Sequence, residues 1–545
     1  MSDSFKDVAA NGIDRRTLLK YTGALAGAAA LTAALAACSS PATKASNSST
    51  SKAIGTATKP SGVITATSAF LLSSGFDPMN ASSAVATCVN QHIFEALVDL
   101  DPITRKPYAA LAKGMPASSN NGLTWTATIR SGAKFSDGTP VTADDVAWSF
   151  TRVMDPANNA LLAPFLLFLT SVKATAADTV EFTLKTAFAQ FAERIAVVKI
   201  VPKSKTLTAA ASTAFDSNPV GSGPFSLTSA SATSGAVMAN NSNYNGTRSA
   251  LVTKIVLRTN TDNAARLNDL QGGTSQAIEA VPYLNATSLT SPDTTDVKQA
   301  FNLMFLLFNC SAAPFNDKRV RQALFYAIDP KKIITTALSG YGTAATSYLD
   351  SANAQYQRAD TVYAYNPKKA KALLKEAGVS DLSFELVTTN TAFISDSAPV
   401  IIDAWKAIGV TATLNTQPSA TVYTQLAPSS KFRVLAASGD PTVFGTDTDL
   451  LLRWFYSGDT WMTSRCRWTD PERTTLGNLI DQASTQTGSA QKATWKKALD
   501  LIAEEVPLYP LFHTKMITGD DPTKLTDFKG AATTGMYFLG VGRSA

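Results

Sequence analysis

The sequence predicts a mixed α/β body of two or three subdomains, exported behind a leader. Three observations carry that reading. Strand-like alternation and helix-like periodicity follow one another along the chain after residue 60. The 508 residues that remain after a 37-residue leader are too many for one small core. The first 60 residues carry export and tether patterns and no core pattern.

The leader comes first. Residues 15–40 read RRTLLKYTGALAGAAALTAALAACSS, and the seventeen residues between Lys20 and Cys38 hold no charge. A membrane-spanning helix needs about 20 predominantly apolar residues. Here only Leu25, Leu31 and Leu35 are strongly apolar, so a stable span is a poor fit. Arg15, Arg16 and Lys20 form a positive head, residues 21–34 an apolar middle, and Leu35-Ala36-Ala37 a small-residue cleavage site. The run from Asp14 to Leu19 resembles a twin-arginine export signal, and Leu35 to Cys38 a lipoprotein lipobox. Residues 1–37 are therefore expected to be removed, leaving Cys38 lipidated at the membrane surface. Residues 38–60 are then the lipidated Cys and a Ser/Thr/Ala-rich tether with too little apolar surface to fold.

Composition excludes several classes. Without the leader, which takes four basic and three acidic residues, the net charge is +5 and no basic run stands out. Nucleic-acid binding wants a concentrated basic stripe, so no such partner is expected. Cys88, Cys310 and Cys466 allow at most one disulfide and are read as buried thiols. There is no G-x-S-x-G, H-E-x-x-H, P-loop or G-x-G-x-x-G. Cys88 and His92 share a helical face but lack a third ligand, and packing is the better reading. Asp447 and Asp449 lack the Gly and distal Glu of a calcium loop, which favours a solvated or capping role. No catalytic residue, metal or cofactor is expected.

The body elements follow in order. Leu123, Trp125, Ala127 and Ile129 alternate with polar residues, predicting a half-buried strand, and Ser136-Asp137-Gly138 turns the chain. Thr142 caps the next helix with Asp145 three residues on, and Val146, Phe150, Val153 and Met154 form its buried stripe. In 316–328 a stripe of Val320, Ala323, Leu324, Ala327 and Ile328 starts from Asn316 or Asp317. In 366–378 Asn366 caps, Pro367 opens and Gly378 ends a helix. A further helix is expected over 398–408 around Trp405, followed by a strand over Val410–Leu414.

The segment GLTWTATIRSGAKFSDGTPVTADDVAWSFTRVMDP (122–156) resembles the signature region of the family 5 extracellular solute-binding proteins, receptors of ABC importers. Asn218-Pro219-Val220-Gly221-Ser222-Gly223-Pro224-Phe225 resembles a second landmark of that family, and residues 301–329, 363–379 and 503–512 three more, in order. The resemblance implies a two-lobed, periplasmic-binding-protein-like hinge fold (class II, cluster C) with the ligand cleft between lobes. Lobe I is expected over 61–300 plus 515–545, with a subdomain near 85–215, and lobe II over 301–514. Crossings near 300–303 and 512–516 join them. The implied function is capture of a peptide-like or other small organic solute by lobe closure, and its delivery to permease subunits by a lipid-anchored monomer. An oligosaccharide receptor is the alternative within the family, and an enzyme or chaperone on the same fold the alternative outside it.

Residues expected to line the cleft are Ser74 and Phe76, Phe305 past the first crossing, and Asp440, Trp454, Tyr456 and Trp461 in the 436–461 loop. Aromatics offer broad, stiff faces to peptides or sugar rings. Peptide-binding members place an amine-pairing Asp three residues before the Asp-Pro of this loop, where this chain has Ala437. Asp440 is the expected substitute.

Overall fold

The computed structural model describes residues 59–429 and 431–544. The leader, Cys38 and most of the tether lie outside the described residues. Among the described residues, no helix is long and apolar enough to cross a membrane.

The centre is an eleven-stranded sheet. Its order is Thr411–Gln417, Ser383–Thr389, Val434–Gly439, Thr294–Phe308, Leu508–Asp520, Ala277–Ile278, Val63–Ser68, Lys254–Thr259, Gly235–Asn240 and Phe225–Ser231. Gly342–Ala344 pairs beside it on Leu508–Asp520. Two strands are unusually long, with 15 and 13 residues. At roughly 3.3 Å per residue the first spans about 50 Å, enough to pass through two packed bodies. Its sequence shows the passage. Thr294–Gln299 is polar and partly exposed, whereas Leu303–Phe308 is apolar and fully buried.

Between those halves the ladder slips. Gln299 pairs with Lys515 and Leu303 with His513, so Ala300, Phe301 and Asn302 face Thr514 alone. Side chains repair the lost backbone pairing. The Asn302 amide donates to Thr514 Oγ1 at 2.9 Å, and His513 Nδ1 meets the Phe301 carbonyl at 2.5 Å. A break of this kind bends a strand pair and re-aims its side chains.

A four-stranded antiparallel sheet, ordered Ala117–Ser119, Thr124–Thr128, Thr179–Leu184 and Leu169–Ala176, stands apart from the large one. Trp125 on it stacks on Phe191 at 4.3 Å. Helix Ala143–Met154 packs against this sheet and has the expected capping box, with Thr142 and Asp145 bonding each other's backbone N–H. Asp317 caps Lys318–Tyr326, and Asn366 caps Pro367–Glu376 with Pro367 in its first turn. The helix expected over 398–408 starts six residues earlier, at Ala392, and carries Pro399 inside it. Buried Ile394, Ala398, Ile401 and Trp405 hold it against the core, which outweighs the one backbone bond the proline cannot make.

Apolar packing divides unevenly. The largest core runs continuously from residues 97–200 into 301–512. A second gathers the strand Val63–Ser68, helix Ala84–Ile93 and residues 525–541. A small third cluster, including Leu267, Leu270, Ile278 and Ile517, sits beside the ladder break.

Candidate functional site

Topology selects the place. Val63–Ser68 runs parallel to Lys254–Thr259 and Ala277–Ile278 on one side of the break, and Ser383–Thr389 parallel to Thr411–Gln417 and Val434–Gly439 on the other. Gly439 pairs with Leu303 and Ile278 with Gly519, so both sets of strands end toward the break. In open α/β sheets ligands bind outside the carboxyl ends of strands, where the connections diverge. Here two such edges face one another.

The loops at those edges are tied across the gap. Asp440 accepts from the backbone N–H of Thr442 and of Thr534, each at 3.1 Å. The hydroxyls of Thr442, Thr533 and Thr534 also donate to it. Burial raises its carboxyl above the ordinary value, while these hydrogen bonds pull the other way. Arg105 donates to the Thr442 carbonyl at 2.7 Å from the far side. Glu279, at the end of its strand, accepts from Ser68 Oγ and Gly535 N, both at 2.7 Å. Burial raises its carboxyl too.

A stronger tie joins residues 97–200 to the helix Thr448–Tyr456. Arg194 is fully buried and contacts Asp447 at 2.5 Å and Asp449 at 2.8 Å. Burial disfavours its charge, but the two carboxylates outweigh that and hold its guanidinium above the ordinary value. Asp447 also caps the helix, as its position suggested. Beside this tie lies a cavity of about 730 Å³. Phe165, Phe168 and Phe188 line one wall, Tyr456, Arg453 and Arg473 the other. That volume suits a small-molecule site.

The residues expected to line a cleft take different places. Ser74 bonds Ser83 Oγ and the N–H groups of Ser82 and Ser83, bracing the start of helix Ala84–Ile93. Phe76 is buried in the second core. Phe305 and Trp461 meet at 5.9 Å and both pack on Phe455, so in this arrangement their rings belong to the core. Tyr456 donates to the Leu508 carbonyl at 2.6 Å and lines the cavity. Trp454 is half-buried and bridges the gap, stacked on Phe165 at 6.0 Å with Phe444 at 5.4 Å. Asp440 stands at the junction, but its oxygens are occupied by the threonines. Cys88 and His92 do share a helical face. His92 Nδ1 meets the Cys88 carbonyl at 2.8 Å, and Nε2 accepts from Phe538 N at 2.9 Å. Both nitrogens are thus used by the protein, and the described residues contain no group of three or more metal-ligating side chains. The three cysteines are buried and free.

Sequence reasoning missed Arg105, Arg194, Arg473, Glu279 and the Thr533–Thr534 pair. Arg194 had a signal, since it interrupts the apolar run FAERIAVV. The threonines had none. They lie in an irregular C-terminal segment and gain a role only from residues about 90 positions away.

A family model for "Bacterial extracellular solute-binding proteins, family 5 Middle" matches residues 106–462, and the chain belongs to that family. The glutathione-binding protein GsiB of Shigella flexneri is 31% identical over 306 residues, 55% of this chain and 59% of that protein. GsiB of Escherichia coli K12 is 31% identical over 310 residues, with the same shares. The chain thus matches under two thirds of the length of these relatives. Among solved structures, the periplasmic binding protein DppA of Helicobacter pylori, in complex with the peptide STSA, superposes with a TM-score of 0.78 at 21% identity. That match covers 89% of this chain and 98% of DppA. The oligopeptide-binding protein AppA of Bacillus subtilis, in complex with a nonapeptide, gives 0.79 at 20% identity, covering 89% and 100%. The fold is the two-lobed hinge fold of periplasmic binding proteins. The family and these neighbours are binding proteins, not enzymes.

Proposed function

We infer that this chain is an extracytoplasmic receptor of an ABC importer, which captures a peptide-like or other small organic solute by closing two lobes. The observation that carries this reading is the pair of opposed strand edges on either side of the ladder break, tied across the gap by Asp440 and Arg194. We assign the lobes as 61–300 with 515–545, and 301–514, the hinge being the break at Ala300–Asn302 opposite Thr514. Closure follows from differential affinity, because a solute touching both edges favours the state in which both reach it. Peptide-like chemistry is supported by the glutathione-binding and peptide-bound relatives. Direct solute contact is proposed for Trp454, Tyr456 and the loop at Asp440. Ser74, Phe76, Phe305 and Trp461 act behind them as supports. The protein works as a monomer with no catalytic step of its own and passes its solute to permease subunits.

The test is native mass spectrometry of protein purified from its exporting host. A retained small solute, lost on partial unfolding, is expected. A clean protein mass that binds nothing from growth medium would refute capture. The anchor is tested separately, through Cys38 as the lipidated residue and residues 1–37 as a leader using the twin-arginine route. Cys38→Ala is expected to move the protein from membranes into the medium, whereas unchanged membrane retention would remove the lipid anchor from the account.

A further inference from the structure

We propose that Cys310 and Cys466 are joined by a disulfide in the exported protein, a crosslink that pins the loop 457–470 to the end of the long strand Thr294–Phe308. This rests on the reading of the chain as an exported receptor, because structural disulfides persist outside the reducing cytoplasm.

The backbones are already in range. The Cys310 N–H donates to the Cys466 carbonyl at 2.7 Å. A bond that short holds the two Cα atoms within about 6.6 Å of each other. A disulfide spans roughly 4.4–6.8 Å between Cα atoms. The side chains converge on one residue. The Cys310 thiol donates to the Phe308 carbonyl at 3.7 Å. The Cys466 thiol donates at 3.7 Å to the Pro507 carbonyl, which also accepts the Phe308 N–H at 3.0 Å. Both thiol contacts are long and weak, so little is lost when the protons leave. Both cysteines belong to the largest core, Cys466 fully enclosed and Cys310 7% exposed. Cys88 does not compete, since it lies in the second core with its thiol on the Met536 carbonyl at 3.0 Å.

The loop has reason to be pinned. It joins helix Thr448–Tyr456 to helix Pro471–Ser484 and contains neither helix nor strand. Arg467, next to Cys466, is held at a φ of 49°, a left-handed conformation that costs any residue with a Cβ. Ser457, Gly458, Thr469 and Asp470 of the loop line the large cavity, and Trp461 packs on Phe305 and Phe455. A covalent tie at Cys466 therefore fixes one wall of that cavity to the strand that runs through the proposed hinge. Burial pushes the Cys310 thiol up to about 11 and raises that of Cys466 as well. Neither ionises while the loop is shut, so the bond forms when the loop lifts. The oxidant is the disulfide of an exchange partner, a small molecule or a protein. One cysteine thiolate attacks it and releases the first partner thiol. The second attacks the mixed disulfide and releases the other. Two protein thiols become one disulfide, and the partner takes up two electrons and both protons.

Protein from the exporting host is denatured and alkylated without reductant, and its peptides are mapped by mass spectrometry. A joined Cys310–Cys466 peptide pair is expected, with Cys88 alkylated. Parent protein refolded with reductant is expected to melt lower than the oxidised parent by on the order of 5 °C, and reductant is expected to leave Cys310→Ala and Cys466→Ala unmoved. Three alkylated cysteines in protein that has lost its leader, or an equal effect of reductant on parent and variants, overturn the crosslink and leave the receptor reading standing. Three alkylated cysteines in protein that keeps its leader overturn export instead. Refolding the purified chain with oxidised glutathione then decides the crosslink: a Cys310–Cys466 pair supports it, and pairing through Cys88, or no pair, overturns it.

Discussion

His92 shows how a single buried group records its surroundings. Its ring is fully enclosed, and burial pulls its pKa down to about 4, against the carbonyl of Cys88, which pulls it up. The unfolded chain, with an ordinary histidine pKa of about 6.5, takes the proton first. The stability that His92 contributes is therefore complete above about pH 6.5 and falls as the pH drops toward 4, by on the order of 3 kcal/mol. Urea melts of the parent and of His92→Gln at pH 7.5 and pH 4.5 check this. The variant is expected to be less stable at the higher pH, with the gap narrowing in acid. Parallel pH curves would mean that the ring does not titrate as its burial requires. Asp440 teaches the opposite lesson about reading residues. The Asp-Pro loop made it legible as a candidate for solute contact. Its partners were not legible, because Thr533 and Thr534 are far away in sequence and carry no pattern of their own.

At the scale of elements, the caps and stripes were the most legible features. Thr142 with Asp145, Asp317 and Asn366 all open helices, because a cap is chemistry between neighbours in sequence. Aromatic-rich segments were the least legible. Phe305 and Trp461 were candidates for the cleft with core packing the competing reading, and here both pack on Phe455 and on each other. The helix Thr448–Tyr456 carries the sharpest prediction at this scale. Its Asp447 and Asp449 meet Arg194 from the other side of the gap, whereas Arg453 on the same helix pairs with Asp449 and Asp481 on its own side. Removing one partner of a buried pair costs about 3–5 kcal/mol. In Arg194→Met that cost falls on the closed state, since opening returns the aspartates to water. Solute retention is expected to drop by on the order of a hundredfold or more, with a smaller change in melting temperature. Arg453→Met is expected to show the reverse pattern. Equal effects of both variants on retention and melting would place Arg194 in ordinary stability and not in closure.

For the whole molecule, two long strands carry one sheet through both proposed lobes, and the proposed hinge lies where their ladder slips. Three residues opposite one give a local weak point, and the side chains that mend it, Asn302 and His513, leave the backbone there without its regular bonds. In the proposed two-lobe reading, the apolar core running from 97–200 into 301–512, with Phe165, Phe444 and Trp454 in mutual contact, belongs to the shut arrangement. Opening must part those rings and the Arg194 pairs together, so the change is expected to be cooperative and of domain size. Small-angle scattering measures it directly. Protein stripped of retained solute by partial unfolding and refolding is compared with the same sample after the extracted solute is returned. A larger radius of gyration is expected in the stripped protein, with a return to the compact value on adding solute back. An identical radius in both samples, with solute shown to be bound, would contradict lobe closure.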